Sequence, residues 1–401
     1  MVDAALQAAW QRRPAAAADA AAAAVDVLSA TEPTLALYRA AAAAGAIGAP
    51  AQHPIWVESW LRATAADVVF AVFSRDGRPA LLLALEVIGH GPFRVARFLG
   101  GSHANGNFPL CSASSHPIDA GEIAALIGAL GKIRPDIDLL SCERMLPQLG
   151  GAANPLLLLP ATPSPNVALA ADTGGGFEAL LGRMSGKRKR KQHRSQARRL
   201  AEAGGHRRIE AATPAETARL LAAFFAMKAV RFRKMGVADV FAPAEVQAFF
   251  HDLFAGALAE MPRPFVLHGL EVGGKLRAVT GSSRRADSLV CEFGSIAEDE
   301  LALASPGNFL FFENIREAAQ QGFALYDFSV GDEPYKRLWC EVEIGHFDVL
   351  VPLSAKGKVL AGALALTSRL KRLTKSNPAL WAAARRLRRR AAGQPEGCGD
   401  D

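Results

Sequence analysis

The densest group of proton-handling side chains in this chain is Asp332-Glu333-Pro334-Tyr335-Lys336, inside the stretch Gly331–Trp339. Two carboxylates, a phenol and an ammonium in five positions can accept a proton, donate one and hold an anionic group. The apolar run Ala324–Val330 precedes them and reads as a buried strand. Gly-Asp-Glu-Pro after it reads as a turn opening a helix. In open sheets, ligands collect at the carboxyl ends of strands. The competing structural reading has Tyr335 and Trp339 packing one helical turn apart while Asp332 caps the helix.

A second group has anion chemistry. Ser305-Pro306-Gly307-Asn308 stands before an apolar-periodic segment, and a helix N-terminus there presents free N–H groups to an anion. A plain N-cap with proline in the first turn is the bland alternative. The segment Arg183–Arg199 contains no acid and repeats cations near helical spacing at Arg183, Lys187, Lys191, Arg194 and Arg198. It reads either as a solvated helix face or as a phosphate-binding face for RNA or a cofactor.

Other motifs fail on context. Gly269–Lys275 has the glycine and lysine spacing of a phosphate loop, but Leu276 stands where a metal-ligating Ser or Thr belongs. It also sits in an alternating hairpin pattern, so a Gly273-Gly274 turn is the better reading. The nine histidines show no ligand spacing, five scattered cysteines suggest neither metal nor disulfide, and no G-x-S-x-G elbow occurs. No metal is expected.

The elements that must position these residues follow from periodicity. The chain has 401 residues and a net charge of +7, which favours an anionic partner. Residues 1–50 read as an Ala-rich extension, partly helical or disordered. Residues 51–170 read as a first domain: strands over Val68–Phe73, Ala80–Val87 and Val95–Leu99, a helix over Ala120–Ile133 and a strand over Ile137–Ser141. Residues 177–353 read as a second domain. Its order is a basic segment over Phe177–Gly204, two helices, three antiparallel strands, a helix, the strand ending at Val330, a helix, and a last strand over Val342–Val351. Residues 354–401 form a basic tail. No apolar run is long enough to span a bilayer. The reading is a cytoplasmic protein, with peripheral attachment to the inner membrane through the basic segments 183–199 and 369–390 left open.

At these residues the chain resembles the bacterial acetyltransferases associated with cellulose biosynthesis (the CelD/BcsL type) of the GNAT superfamily. The resemblance rests on His53-Pro54-x-Trp56, Phe98-Leu99-Gly100-Gly101, the basic Lys187–Leu200 helix, Lys228-x-x-Arg231, Pro306-Gly307, and Tyr326-Asp327-Phe328 leading into Gly331-Asp332-Glu333-x-Tyr335-Lys336. It covers roughly residues 53–352.

The resemblance implies a mixed α/β (α+β) fold of two tandem GNAT-like halves, related to the Fem-type peptidyltransferases. It implies acyl transfer from acetyl-CoA or another acyl-CoA to an amine or hydroxyl acceptor, a small molecule or saccharide, in polysaccharide biosynthesis. Glu292, Asp332 and Tyr335 are the expected catalytic groups. Phe293, Ser295, Ser305, Gly307 and Asn308 are expected at the cofactor, and Arg231 and Lys336 at the substrate. The usual GNAT phosphate signature (Arg or Gln, two residues, Gly, one residue, Gly or Ala) is incomplete in Ala302–Gly307, and Pro306 removes an N–H donor. Basic residues of Lys187–Arg194 would then be the phosphate partners. Two alternatives stand: a Fem-like transferase using aminoacyl-tRNA, and a non-catalytic scaffold at the membrane face of a polysaccharide synthase.

Overall fold

A computed structural model describes residues 23–113, 116–165 and 167–376. The expectations for residues 1–22 and for the basic stretch beyond residue 376 lie outside the described residues.

The first half runs β1 (Ala24–Ser29), α1 (Glu32–Ala43), α2 (Pro54–Thr64), β2 (Asp67–Arg75), β3 (Arg78–His90), β4 (Phe93–Phe98), α3 (Ala120–Ile133) and β5 (Leu139–Met145). The connecting strands are β6 (Ala161–Pro163) and β7 (Ala168–Asp172). The second half repeats the order after two helices, of which the second is strongly basic. These are α4 (Phe177–Arg183) and α5 (Gly186–Glu202), followed by β8 (His206–Glu210), α6 (Pro214–Met235), α7 (Ala244–Gly256), β9 (Phe265–Val272), β10 (Lys275–Arg285), β11 (Ser288–Ile296), α8 (Pro306–Gln320) and β12 (Leu325–Val330). A short α9 (Pro334–Arg337), β13 (Val342–Ile344), β14 (Phe347–Pro352) and α10 (Ala355–Ser376) finish the described chain.

Local chemistry sets several boundaries. Asp119 and Glu122 form a reciprocal capping box at the start of α3. Thr213 accepts from the Glu216 N–H to open α6, and Gly236 closes it in the left-handed region. Gly273 and Gly274 both have positive φ, 55° and 77°, so they form the hairpin turn between β9 and β10 rather than a phosphate loop.

Two mixed sheets result. The first has the order β1-β2-β3-β4-β5-β14-β6, with Leu110–Cys111 also paired to β3, and the second β8-β9-β10-β11-β12-β7-β13. Each is an antiparallel meander followed by one parallel neighbour reached through a helix. The halves exchange strands: β7, which follows the first half, lies beside β12, and β14, which follows the second, lies beside β5.

Three stretches differ from the sequence expectation. Ala24–Ser29 is an edge strand on β2 rather than part of an extension; its Val25 and Val27 pack on the first core, which outweighs the helical preference of the alanines. Phe177–Gly204 is two helices, broken where Met184 is extended. Val342–Val351 is two strands in two sheets, separated at Gly345-His346.

The largest core joins the halves. Trp56 and Trp60 on α2 both meet Phe249 on α7 edge-on, with ring centroids 4.9 Å apart. Phe224, Phe250 and Phe293 continue the same cluster.

Candidate active site between the two halves

In the second sheet, β11 and β12 pair in parallel through Ser288↔Leu325, Leu289↔Tyr326 and Val290↔Asp327 only. Beyond Val290 the two strands part. Immediately after that point β11 carries a bulge: Gly281 faces Phe293 and Ser282 faces Cys291, so Glu292 is the extra residue. A bulge re-aims the side chain it inserts. Gly281 is required here, because a Cβ would lie 2.2 Å from the Phe293 ring.

Glu292 lines a cleft of about 330 Å³, to whose wall Trp56, Phe241, Phe250, Phe265, Phe293 and Phe328 all contribute. Its Oε1 accepts from Ser283 Oγ at 2.6 Å, and the Asn105 side chain also acts on the carboxylate. Desolvation raises its pKa to about 7, against the lowering effects of the Ser283 hydrogen bond and the Arg285 charge. It is therefore poised to exchange a proton at neutral pH.

The remaining predicted residues divide by location. Tyr335 and Lys336 line the same cleft, as does Phe293. The Tyr335 ring stacks on Phe311, with centroids 5.7 Å apart and 13° between planes, and desolvation holds its hydroxyl above its ordinary pKa. Lys336 is 4 % exposed; its Nζ donates to Val330 O at 3.0 Å and pairs with Glu333 at 2.9 Å. Asp332 and Arg231 are not among the cleft-lining residues. Asp332 pairs with Arg337 at 2.5 Å, and Arg231 approaches Glu298 at 3.7 Å. Ser295 is buried.

The other predicted cofactor residues, Ser305, Gly307 and Asn308, lie at the start of α8. Ser305 enters α8 at φ 51° and lines a groove of about 350 Å³ with Arg188, Lys191 and Arg199 of α5. Asn308 lines an adjoining groove of about 380 Å³ with Arg183, Arg188 and Lys189. Its Oδ1 accepts from Trp339 Nε1 at 3.2 Å, and Lys189 Nζ sits 3.9 Å from the Trp339 ring centroid. Gly307 serves packing: a Cβ would lie 2.5 Å from Ile296 Cγ2. A helix N-terminus flanked by cationic side chains fits a polyphosphate. Trp339 thus packs in the core, as the structural reading of its motif expected, but Tyr335 is 44 % exposed and the helix is capped by Glu333 rather than Asp332.

Cleft residues from the first half were not legible beforehand. Ser102, His103, Asn105 and Arg144 all face the cleft that holds Glu292. Arg144 stands in the bulge of β5 at φ 53°, where β12 has Ser329 at φ 60° in the matching bulge. The first half has its own parallel splay, after Arg97↔Ser141. There β4 departs as Phe98-Leu99-Gly100-Gly101, with no ionisable group, while β5 departs as Cys142-Glu143-Arg144. A Cβ on Gly100 would lie 2.7 Å from the Trp56 ring, so that splay is filled by indole.

Cys291, also in the cleft, is held protonated: desolvation pushes its thiol up to about 12. It is a poor nucleophile in that state. Away from the cleft, Glu210, His268 and Glu317 bring three ligand atoms within 4.8 Å, but Arg263 and Arg208 already pair with the two carboxylates.

The strand order, the splay and the bulge carboxylate coincide with a sequence match. Residues 187–337 match the acetyltransferase (GNAT) domain family. No curated protein sequence matches the chain. Among solved structures, the chain is similar to FemX, with TM-score 0.54 and 10 % identity over 81 % of this chain and 97 % of that one. It is also similar to the C-terminal domain of a putative lysylphosphatidylglycerol synthetase from Agrobacterium fabrum (TM-score 0.46, 12 % identity, 79 % and 91 % covered). A tandem GNAT protein from the clavulanic acid biosynthesis pathway gives TM-score 0.44 at 13 % identity, with 82 % and 99 % covered. The architecture is a mixed α/β fold with two GNAT-like regions, and the GNAT match covers the half that holds Glu292. Among the described residues no helix is long and apolar enough to cross a membrane.

Proposed function

We propose that the protein is an acyltransferase that moves an acyl group from acyl-CoA, with acetyl-CoA the simplest donor, directly to an amine or hydroxyl. The observation that carries this reading is Glu292, half-buried in a bulge where two parallel strands part, lining the cleft with its pKa raised to about 7. Acyl-CoA supplies the activated carbonyl when bound. The phosphates of such a donor would lie along Arg188, Lys189, Lys191, Ser305 and Asn308.

Glu292 takes the proton of the acceptor as its nitrogen or oxygen bonds to the thioester carbon. The carbon–sulfur bond then breaks, and Tyr335 is the group in the cleft suited to return a proton to the departing sulfur. Lys336, fixed by strand carbonyls, holds the Tyr335 helix turn against β12. The protonated Cys291 favours direct transfer over a cysteine-bound intermediate. The reading is tested by titrating the protein with acetyl-CoA and assaying thiol release with amine and hydroxyl acceptors. Glu292→Gln should lose roughly 10²–10⁴-fold in kcat/KM while still binding acetyl-CoA. Retained turnover in both Glu292→Gln and Tyr335→Phe would discard it.

The cationic face of α5 supports a second reading, an aminoacyl-tRNA donor in place of acyl-CoA. Steeply salt-dependent RNA binding, lost on replacing Arg188 and Lys191, would favour it. A saccharide acceptor in polysaccharide synthesis rests on the family resemblance. Peripheral membrane attachment is supported by α10, whose exposed Val359 and Leu366 lie near Lys358 and Arg369. Flotation with acidic vesicles tests that attachment.

A further inference from the structure

The cleft is walled by aromatic rings, and a cation placed in such surroundings is costly unless an anion meets it. Of the cations that line it, Lys336 is paired with Glu333. Lys228 and Arg144 have no carboxylate of the described residues within ion-pair distance, although Asp239 and Glu333 act on Lys228 from farther away and Glu143, Asp348 and Glu292 on Arg144.

Lys228, on α6, lies over three phenylalanines: its Nζ is 5.8, 5.5 and 5.7 Å from the ring centroids of Phe224, Phe232 and Phe241. It forms no hydrogen bond or ion pair with the described residues. Desolvation lowers its pKa.

Arg144 comes from β5 in the first half. Its guanidinium donates to Gly101 O at 2.6 Å, Ser102 O at 3.1 Å and Asn105 Oδ1 at 2.8 Å. All three acceptors are neutral, and no carboxylate of the described residues lies within ion-pair distance. A guanidinium has five N–H donors, so three bonds leave two for a ligand. The bulge at φ 53° aims the side chain, and the three acceptors fix it before any ligand arrives. His103 beside it is held neutral, its pKa depressed to about 4 by desolvation, and adds no charge.

We propose that the acceptor carries an anionic group, a carboxylate or a phosphate, held between Arg144 of the first half and Lys228 of the second. Its apolar part lies against Phe241, Phe250 and Phe265, which places its amine or hydroxyl toward Glu292. The first half, whose β5 carries Arg144 past its own splay, thus provides acceptor recognition for the second. This inference rests on the acyl-transfer reading for its biological meaning, although the anion subsite itself can be tested by binding.

The experiment titrates the full-length protein calorimetrically with 3-phenylpropanoate, phenyl phosphate and neutral 3-phenylpropanamide. At least one anion should bind at least about tenfold more tightly than the amide. Arg144→Met and Lys228→Met should each abolish that preference, with Lys228→Arg restoring it. Circular dichroism and thermal melting of each variant separate loss of the subsite from loss of the fold. Equal binding of the amide, binding of neither anion at millimolar concentration, or undiminished anion preference in well-folded variants overturns the proposal. A parallel assay compares phenylalanine with phenethylamine as acceptors of acetyl-CoA. Turnover of phenethylamine as good as that of phenylalanine would sink the anion subsite and leave acyl transfer standing. Selective anion binding without turnover of any acceptor would sink acyl transfer and leave the subsite.

Discussion

Ser283 Oγ on β10 donates a 2.6 Å hydrogen bond to Glu292 Oε1 on β11, across the bulge that lifts Glu292 out of register. That bond favours the ionised carboxylate and opposes the larger effect of desolvation. Removing it should leave a weaker competitor to burial. Ser283→Ala is therefore expected to move the rising limb of the kcat/KM–pH profile upward from about 7 by about one unit, since a bond to a charged group contributes roughly 1.5 kcal/mol or more. A limb that stays in place would show that Ser283 does not set the ionisation of the base.

The same carboxylate links stability to pH. A folded-state pKa near 7 lies above the ordinary value of 4.5, so the native state holds this proton more tightly than the unfolded chain. That contribution is fully present below about pH 4.5 and is lost as pH rises through 7. Glu292→Gln removes the cost of ionising a desolvated group. Relative to wild type, the variant should gain stability between pH 5 and pH 8.5, by at most about 3 kcal/mol from the shift. Urea melts at the two pH values measure the gain, and equal differences at both would contradict it.

Much of this arrangement is legible in residue order, and the illegible part has a physical cause. The meander, α8 and the strand before Gly331 follow from alternation and turn chemistry, which are local. Glu292 is legible because it stands in a strand pattern beside apolar neighbours. Arg144 is not: it lies 148 positions before Glu292 in the chain, and only tertiary packing brings the two halves to one cleft. Asp332 is expected among the catalytic groups and Arg231 at the substrate because they are charged and near motifs, yet Asp332 pairs with Arg337 and Arg231 approaches Glu298. The exchange of β7 and β14 is equally hidden, since a strand's alternation does not say which sheet receives it.

Asp327, matched in sequence only as part of Tyr-Asp-Phe, forms a buried ion pair with Arg285 at 2.7 Å. Its other oxygen accepts from Ser329 N at 2.7 Å, holding the β12 bulge. Breaking such a pair from one side leaves a buried charge, which typically costs about 3–5 kcal/mol. Asp327→Ala should lose stability on that scale, whereas Arg285→Met combined with Asp327→Leu should recover a large part of it. A double variant as unstable as the single one would place the cost in the lost Ser329 bond rather than in the orphaned arginine. Gly106 also belongs to this network, because a Cβ there would lie 2.5 Å from Arg285 Nη1.

Strand exchange predicts mutual dependence of the halves. β14 pairs with β5 through five residues, and its Val349 belongs to the first core. A chain ending at Gly345 keeps every strand of the second sheet but uncovers β5, leaving a row of unpaired backbone groups. Its first half should lose cooperative unfolding and expose surface to hydrophobic dyes, although the missing residues follow the second half in sequence. Hydrogen exchange that stays slow across β4 and β5 in this shortened chain would show that the first sheet does not need β14.

The incomplete phosphate loop makes α5 the expected donor anchor. Pro306 contributes no N–H at the start of α8, while Arg188 lines both grooves beside it and Lys189 lies over Trp339. Side-chain cations replace backbone donors in this arrangement, so donor binding should depend on ionic strength more than acceptor binding does. Arg188→Glu should raise the KM for acyl-CoA at least tenfold, with a smaller change in kcat, because the phosphates lie away from the reacting carbonyl and contribute equally to ground and transition states. Dephospho-CoA thioesters and pantetheine thioesters divide the effect further. If Arg188 meets the pyrophosphate, the variant and the wild type should converge on the pantetheine donor, which lacks it, and still differ on the dephospho donor, which keeps it.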